Sequence, residues 1–241
     1  MTDIIKALLK LIPEHIKDSS DFTKEIQKHK WEESDYFGSL DVAYLYRSIP
    51  LVGPNNVIDI ASDFFEKNKV YTEAKDLSKN DFKTLINLCA LSDKIIIDNK
   101  IHKQKTGLAM GNNLSPMLAI IYMHHIEEQI IKQSQNRISI WLRYIDEIFF
   151  ISKLKPEELL NLANTISRDI QFTLEKPLNN KIRFLDKLTE LTTDKILNTC
   201  LYIKPFHSRH IIPWSSNTTM QLKIWVIKSE QLMALRLSLN K

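Results

Sequence analysis

Three acidic residues lie in or beside apolar, strand-like segments of this chain of 241 residues. Asp146 and Glu147 interrupt the run ISIWLRYIDEIFFIS, and Asp41 follows the segment YFGSL. A carboxylate among apolar neighbours is costly unless another group neutralises it. Carboxylates that meet at two strand ends can bind Mg²⁺ through oxygen ligands. These residue types favour a two-metal phosphoryl-transfer site, and the alternative is that Asp146 and Glu147 only form a solvent-exposed hairpin turn.

The hydrophobic pattern predicts the elements that position these acids. Apolar residues at helical spacing predict helices near 3–12, 20–29, 55–68, 79–92, 156–169 and 218–237. Strand-like runs predict a strand at 36–42, a hairpin around Asp98-Asn99, two strands joined at the Ile-Asp-Glu tip, a strand pair around 170–191 and a hairpin near 195–204. Ser115 as N-cap and Pro116 behind it predict a long helix that continues to Ile131. Strands mixed with helices predict an α+β sheet covered on one face by helices.

The composition excludes several classes of protein. The chain is 44% hydrophobic and 26% charged, as in an ordinary globular protein. With four glycines it has no Gly-rich phosphate loop, which excludes a P-loop or Rossmann enzyme. Cys89 and Cys200 stand apart from any metal-ligand motif, so we expect two reduced thiols in an intracellular protein. The longest apolar run, 117–123, is far shorter than the ~20 residues of a membrane span, so no membrane partner is expected.

Positive charge is concentrated near the C-terminus. The chain has a net charge of +4, and residues 197–241 contain six Lys or Arg but only Glu230 as an acid. This excess favours contact with a polyanion, and the alternative is a solvated basic face.

Three segments in chain order, GSLDVAYLYRSIP, GLAMGNNLSPMLAIIYMHHIE and RYIDEIFFI, resemble motifs A, B and C of reverse transcriptases, specifically those of Penelope-like retroelements. LLKLIPEHIKDSSDFTKEIQKHK is similar to the segment that leads into motif A, and IRFLDKLTEL resembles the FLD segment of that family. Residues 199–238 are similar to its thumb-side region. The resemblance covers nearly the whole chain.

The resemblance implies a fold and a domain organisation. The expected fold is an α+β reverse-transcriptase palm, with an antiparallel sheet backed by helices and a helical C-terminal thumb-like region. Residues 1–196 would form the palm with partial fingers, and residues 197–241 the basic thumb-like region. The implied partners are an RNA template, a DNA primer and deoxynucleoside triphosphates.

The resemblance also implies roles for single residues. Asp41 matches the metal-binding aspartate of motif A, Asp146 matches the first aspartate of motif C, and Glu147 takes the place of the second acid. These three would bind the catalytic Mg²⁺ (or Mn²⁺) ions. Tyr46 matches the aromatic steric gate, whose ring would occupy the place of a ribose 2′-hydroxyl, although a core tyrosine has the same pattern.

Further residues are implied to contact the nucleotide and the nucleic acid. Gly111, Ser115 and Pro116 match motif B, which shapes the floor under the templating base and the incoming nucleotide, although Gly111 has the alternative of a simple turn glycine. The thumb-like region would contact phosphates of the primer–template duplex through basic side chains. These are Lys204, Arg209, Lys223, Lys228 and Arg236.

The chain departs from the family pattern in four respects. Glu147 stands where the family commonly has Asp in YVDD, and GNNLSP stands where GSPLSP is common. The finger segment with an Arg-Pro-Ile type motif has no counterpart here, and neither does a GIY-YIG type nuclease domain. The expectation is a truncated palm and thumb portion.

The implied function is that of an RNA-directed DNA polymerase. One alternative is a catalytically inactive remnant that binds nucleic acid non-specifically, and a weaker one is a different palm-type nucleotidyltransferase or cyclase. A nuclear location follows from the resemblance, although the sequence contains no Lys/Arg-rich stretch typical of nuclear import. The sequence does not predict an oligomeric state.

Overall fold

The computed structural model of the chain describes residues 1–90, 94–103, 106–202 and 212–238. The chain divides into two compact units, one formed by residues 1–18 and 31–177 and the other by residues 19–30 and 178–241. The predicted division between a palm and a thumb-like region at residue 196 stays a prediction. No helix in the described part of the chain is long and apolar enough to cross a membrane.

The helices and strands of the described residues are as follows. The helices are α1 (Thr2–Leu9), α2 (Ser19–Gln27), α3 (Leu45–Ser48), α4 (Val57–Asn68), α5 (Lys79–Ala90), α6 (Ser115–Gln133), α7 (Pro156–Ile166) and α8 (Met220–Ser238), with a 3-10 turn at Lys69–Tyr71. The strands are β1 (Tyr36–Ala43), β2 (Lys94–Ile97), β3 (Lys100–Lys103), β4 (Ile138–Tyr144), β5 (Glu147–Ser152), β6 (Gln171–Glu175), β7 (Lys181–Phe184), β8 (Lys187–Leu191) and β9 (Leu197–Leu201).

A four-stranded antiparallel sheet organises the first unit, in the order β4-β5-β1-β6. Because β5 and β6 flank β1 and are connected through α7, the three strands and this helix form a split β-α-β unit. The predicted α+β fold with an antiparallel sheet is confirmed.

One face of this sheet is covered by helices. Leu40 and Val42 flank the exposed Asp41 on β1, and together with Ile148 of β5 they join a core to which α4 and α6 contribute Phe65 and Leu118. All five apolar side chains are buried, which favours this packing through the removal of apolar surface from water. The second face of the sheet is therefore the one on which polar side chains of β1 can remain accessible.

The predicted N-cap of the long helix is wrong. The helix α6 begins at Ser115 itself, and the residue before it, Leu114, provides no side-chain cap. Asn112 organises the turn instead, because its side-chain oxygen accepts the Leu114 N–H at 2.9 Å and its amide donates to the Cys89 carbonyl at 2.9 Å. Pro116 occupies the first turn, where its missing N–H costs nothing.

The second unit contains the antiparallel sheet β7-β8-β9 and the helices α2 and α8. The Phe22 ring of α2 lies 4.7 Å from the Phe184 ring of β7. The hairpin predicted near 195–204 is wrong in its bounds, since β8 and β9 form it and their connection closes where the Thr192 N–H donates to the Ile196 carbonyl at 2.9 Å. Lys195 has a φ of 59°, and this left-handed residue places the turn earlier than the hydrophobic pattern predicts.

Candidate active site

Two of the predicted acids face each other across the sheet. Asp41 near the end of β1 pairs in register with Glu147 at the start of β5, and on its other side with Thr173 of β6. Residues directly opposite in an antiparallel pair project from the same face. Asp41 is exposed while its neighbours Leu40 and Val42 are buried, so these acids belong to the face away from the helices.

Asp146 occupies the turn between β4 and β5, and a backbone contact ties this turn to β1. The Val42 N–H donates to the Asp146 carbonyl at 3.0 Å. Partial burial of the Asp146 carboxyl raises its pKa, and the negative charge of Asp41 raises it further, against the N–H groups of Asp146 and Glu147, which lower it. The backbone contact brings the turn that carries Asp146 beside the end of β1 that carries Asp41.

Tyr46 belongs to the same neighbourhood through the short helix α3. Burial raises the pKa of the Tyr46 hydroxyl, and the negative charge of Asp146 raises it further. The chain turns sharply between β1 and α3 because Tyr44 adopts a left-handed φ of 54°. The ring of Tyr46 therefore lies within electrostatic reach of the turn that carries Asp146.

Gly107 is a residue of this neighbourhood that the sequence analysis did not single out. The Leu108 N–H donates to the Tyr46 carbonyl at 2.7 Å, which joins the segment before α6 to α3. A Cβ at Gly107 would lie 2.7 Å from the Tyr46 carbonyl oxygen and 2.8 Å from the Arg47 Cα, and its φ is +75°. The signal in the sequence is its place in the Thr-Gly-Leu step of motif B, in a chain with only four glycines.

The predicted nucleotide-floor residues lie along the same segment. Gly111 has a φ of +99° and no atom within 4 Å of an ideal Cβ, so the backbone conformation is what requires glycine there. Ser115 is buried at the start of α6, followed by Pro116. The helix α6, which begins with these residues, packs against α3, the helix that carries Tyr46.

The donor set fits a hard divalent cation in its chemistry. No group of three or more His, Cys, Asp or Glu side chains in the described part of the chain is arranged to hold a metal ion. Asp41 and Asp146, however, form a pair of neighbouring carboxylates: burial raises the pKa of Asp146, and the negative charge of Asp41 raises it further. Mg²⁺ is usually bound by one or two carboxylates together with substrate phosphates, which is what this pair offers.

The predicted nucleic-acid contacts lie in the second unit. Lys204 and Arg209 are outside the described residues. Lys228 and Arg236 belong to α8, and the side chain of Lys228 is exposed. Lys223 is buried, and its ammonium donates to the carbonyls of Trp214 and Ser216, the latter at 2.7 Å.

The comparison with known protein families covers the whole first unit and residues 19–30 and 178–192 of the second. Residues 1–192 match the family model described as reverse transcriptase (RNA-dependent DNA polymerase). The chain belongs to the reverse transcriptase family. The match includes Asp41, Tyr46, the segment 106–116 and Asp146. It confirms the reverse-transcriptase part of the resemblance and assigns the chain to a family of nucleotidyltransferases.

Solved structures with the same fold are polymerases. A telomerase from Candida tropicalis, truncated from its C-terminal domain, matches with 14% identity and a TM-score of 0.59, over 83% of this chain and 44% of that one. A telomerase from Candida albicans in complex with a fragment of telomeric RNA matches with 14% identity and a TM-score of 0.58, over 83% and 38%. This reverse transcriptase chain therefore spans less than half the length of these structures. No curated protein matches the chain in sequence.

Proposed function

We propose that this reverse transcriptase chain is the RNA-directed DNA polymerase domain of a Penelope-like retroelement and transfers deoxynucleotides to a primer 3′-hydroxyl. The observation that carries the proposal is the meeting of Asp41 and Asp146 at the turn after β4. In the proposed reaction the primer oxygen forms a bond to the α-phosphorus, the bond to pyrophosphate breaks, and the hydroxyl proton leaves. A nuclear location belongs to this proposal.

In the proposed site, Asp41 and Asp146 hold the metal ions and Glu147 assists from its register position opposite Asp41. Bound Mg²⁺ or Mn²⁺ would supply the charge that activates the primer hydroxyl and stabilises the leaving pyrophosphate. The two aspartates orient the reacting groups. The raised pKa of Asp146 is consistent with this role, since burial of the carboxyl raises it and the nearby negative charge of Asp41 raises it further.

The nucleotide is selected, in this proposal, by Tyr46 and by the start of α6. The ring of Tyr46 excludes a ribose 2′-hydroxyl, and Gly111, Ser115 and Pro116 shape the floor under the templating base. The close approach of Gly107 to Tyr46 supports this arrangement, because it leaves the backbone of α3 little freedom to move.

The template–primer duplex is bound through phosphates. We assign this contact to the basic residues Lys204, Arg209, Lys228 and Arg236, with Lys223 at the start of α8. The exposure of the Lys228 side chain supports the assignment. Contacts of this kind are independent of sequence and weaken with salt.

Primer extension on a poly-rA template with oligo-dT and dTTP tests the proposal. Extension by the wild-type protein with Mg²⁺ or Mn²⁺ is expected, with loss in Asp41→Asn and in Asp146→Asn. Asp3→Asn is a matched control, because this carboxylate is 95% exposed on α1 and is expected to leave extension unchanged. Extension retained in Asp146→Asn, with the fold intact, would refute the assigned site.

The second candidate is a catalytically inactive protein that binds nucleic acid. It is favoured by one departure from the family pattern, Glu147 in the place of the second motif C aspartate. It predicts no extension by the wild-type protein and an equal, salt-sensitive duplex affinity of the wild-type chain and the Asp41 and Asp146 variants, independent of Mg²⁺.

A further inference from the structure

A buried ion pair lies directly behind the turn that carries Asp146. The Arg143 Nε donates to the Glu127 Oε1 at 2.7 Å, and both side chains are 0% exposed. The Trp141 indole N–H donates to the same oxygen at 3.0 Å. Such a pair loses much of its Coulomb energy to desolvation, so stability alone is a weak reason for it. Its remaining hydrogen bonds indicate what else it does.

The guanidinium of Arg143 connects α6 to the Asp146 turn. One terminal nitrogen donates to the Ile120 carbonyl of α6 at 3.1 Å, and the other donates to the Ile145 carbonyl at 3.3 Å. Ile145 has a φ of 56°. A β-branched residue in the left-handed region is strained, so this conformation persists only where other contacts impose it. The hydrogen bond from Arg143 is such a contact.

The Ile145 carbonyl, to which Arg143 donates, and the Asp146 N–H belong to the same peptide unit. Because that unit is planar, fixing the Ile145 carbonyl also fixes the direction of the Asp146 N–H. On the other side of the same residue, the Asp146 carbonyl accepts the Val42 N–H at 3.0 Å, so the peptide units before and after Asp146 are both held. The orientation of the carboxylate therefore depends on a peptide plane that Arg143 holds.

The backbone of Arg143 is itself held from both sides. Its N–H donates to the Glu14 carbonyl at 2.7 Å, and its carbonyl accepts the Ile16 N–H at 3.0 Å. On the other side it pairs in register with Ile148 of β5. With its main chain between two strand-like partners and its side chain on Glu127, Arg143 is a rigid support for the turn.

We propose that Arg143 is a positioning residue, which fixes the left-handed Ile145 turn and thereby the direction of the Asp146 carboxylate, with Glu127 holding its guanidinium in place. The importance of this for catalysis rests on the proposed polymerase function. The effect on the turn does not, and it can be measured without any substrate.

The first test is the ¹³C chemical shifts of Ile145 in the full chain, since Cα and Cβ shifts distinguish left-handed from extended backbone. In Arg143→Lys, which keeps the charge but lacks the planar fork, the shifts are expected to move toward extended values. Arg137→Lys is the matched control, because Arg137 also donates to a backbone carbonyl, that of Ser134, at the other end of β4. Left-handed shifts retained at Ile145 in Arg143→Lys would overturn the proposal.

Should Arg143→Lys fail to fold, Glu127→Gln gives the same measurement, with an oxygen kept in place of Oε1 and the charge removed. A smaller movement of the Ile145 shifts in the same direction is expected. Unchanged shifts in a folded Glu127→Gln protein would count against the proposal in the same way.

The second test is kinetic. Misplacement of the carboxylate by ~1 Å is expected to lower kcat of Arg143→Lys by about 10²-fold with little change in the KM for dTTP. Adding Ile145→Asn to Arg143→Lys is expected to restore part of kcat, because asparagine adopts left-handed φ more readily than isoleucine. A purely structural role predicts a lower Tm without this rescue. If the wild-type chain extends no primer, the polymerase proposal fails, while the Ile145 shifts still decide the role of Arg143.

Discussion

Glu147 is the residue at which this chain departs most directly from the family pattern. It lies opposite Asp41 in register, so its backbone is placed where a second motif C aspartate would be. Its additional methylene group displaces the carboxylate by more than an ångström unless the side chain folds back.

We therefore expect Glu147→Asp to increase the rate of single-nucleotide extension, by up to about 10²-fold if the displacement is ~1 Å. Rapid-quench measurement of kcat with saturating dTTP gives the number, and Glu190→Asp, an exposed change on β8 at a residue paired with Lys181, is the control. A slower Glu147→Asp enzyme would indicate that the longer side chain is already fitted to its site.

Tyr46 carries a prediction about substrate choice. If its ring excludes the 2′-hydroxyl by bulk, Tyr46→Val should reduce the preference for dTTP over UTP, measured as a ratio of kcat/KM, by about 10²-fold. Tyr46→Phe keeps the ring and loses only the hydroxyl, so it should keep the preference. Equal loss in both variants would assign the selection to the phenol hydroxyl instead of to steric exclusion.

At the scale of elements, the segment between β3 and α6 requires glycine at two positions, Gly107 and Gly111, for different reasons. In Gly107→Ala, the alanine would have to adopt a positive φ, and its Cβ would lie 2.7 Å from the Tyr46 carbonyl oxygen. The atoms that it would meet belong to the main chain, so moving them aside costs free energy of folding. Gly111→Ala has the same conformational cost, roughly 1–2 kcal/mol, in open space.

Urea unfolding should therefore show a larger loss of stability for Gly107→Ala than for Gly111→Ala. Because the clash falls on Tyr46, only Gly107→Ala should also change the ratio of dTTP to UTP incorporation. A similar loss of stability in both variants, with the ratio unchanged, would mean that α3 yields without disturbing the nucleotide site.

The elements themselves were largely predictable, because their signals are local. Apolar spacing located α4 and α6, and the interrupted run located the turn between β4 and β5. The positions of Asp41 and Asp146 at two strand ends also indicated that they could meet on one sheet. Other features depend on long-range contacts with no local signal. The Arg143–Glu127 pair joins residues on different elements, the need for Gly107 comes from a main-chain approach by α3, and the start of α6 depends on Asn112 rather than on Ser115.

At the scale of the whole molecule, the first unit lies entirely within the reverse transcriptase match, and the second unit, which contains α8, lies only partly within it. The family model matches residues 1–192, so the helix α8 lies outside the match. Its proposed role as a duplex contact therefore rests on the resemblance to a thumb-side region, on positive charge and on the exposure of Lys228. That role is separable from catalysis by experiment, because a phosphate contact changes the salt dependence of binding and a catalytic carboxylate does not.

The two lysines of α8 provide that experiment. Lys228 is exposed, so Lys228→Ala should weaken binding of an RNA–DNA duplex and reduce the slope of log K against log salt by about one. The ammonium of Lys223 is already bound by the carbonyls of Trp214 and Ser216, so Lys223→Ala should reduce the slope less and lower the Tm. Fluorescence anisotropy titrations at salt concentrations from about 50 to 200 mM measure both slopes. An unchanged slope in Lys228→Ala would remove α8 from the duplex interface, whatever the polymerase assay shows.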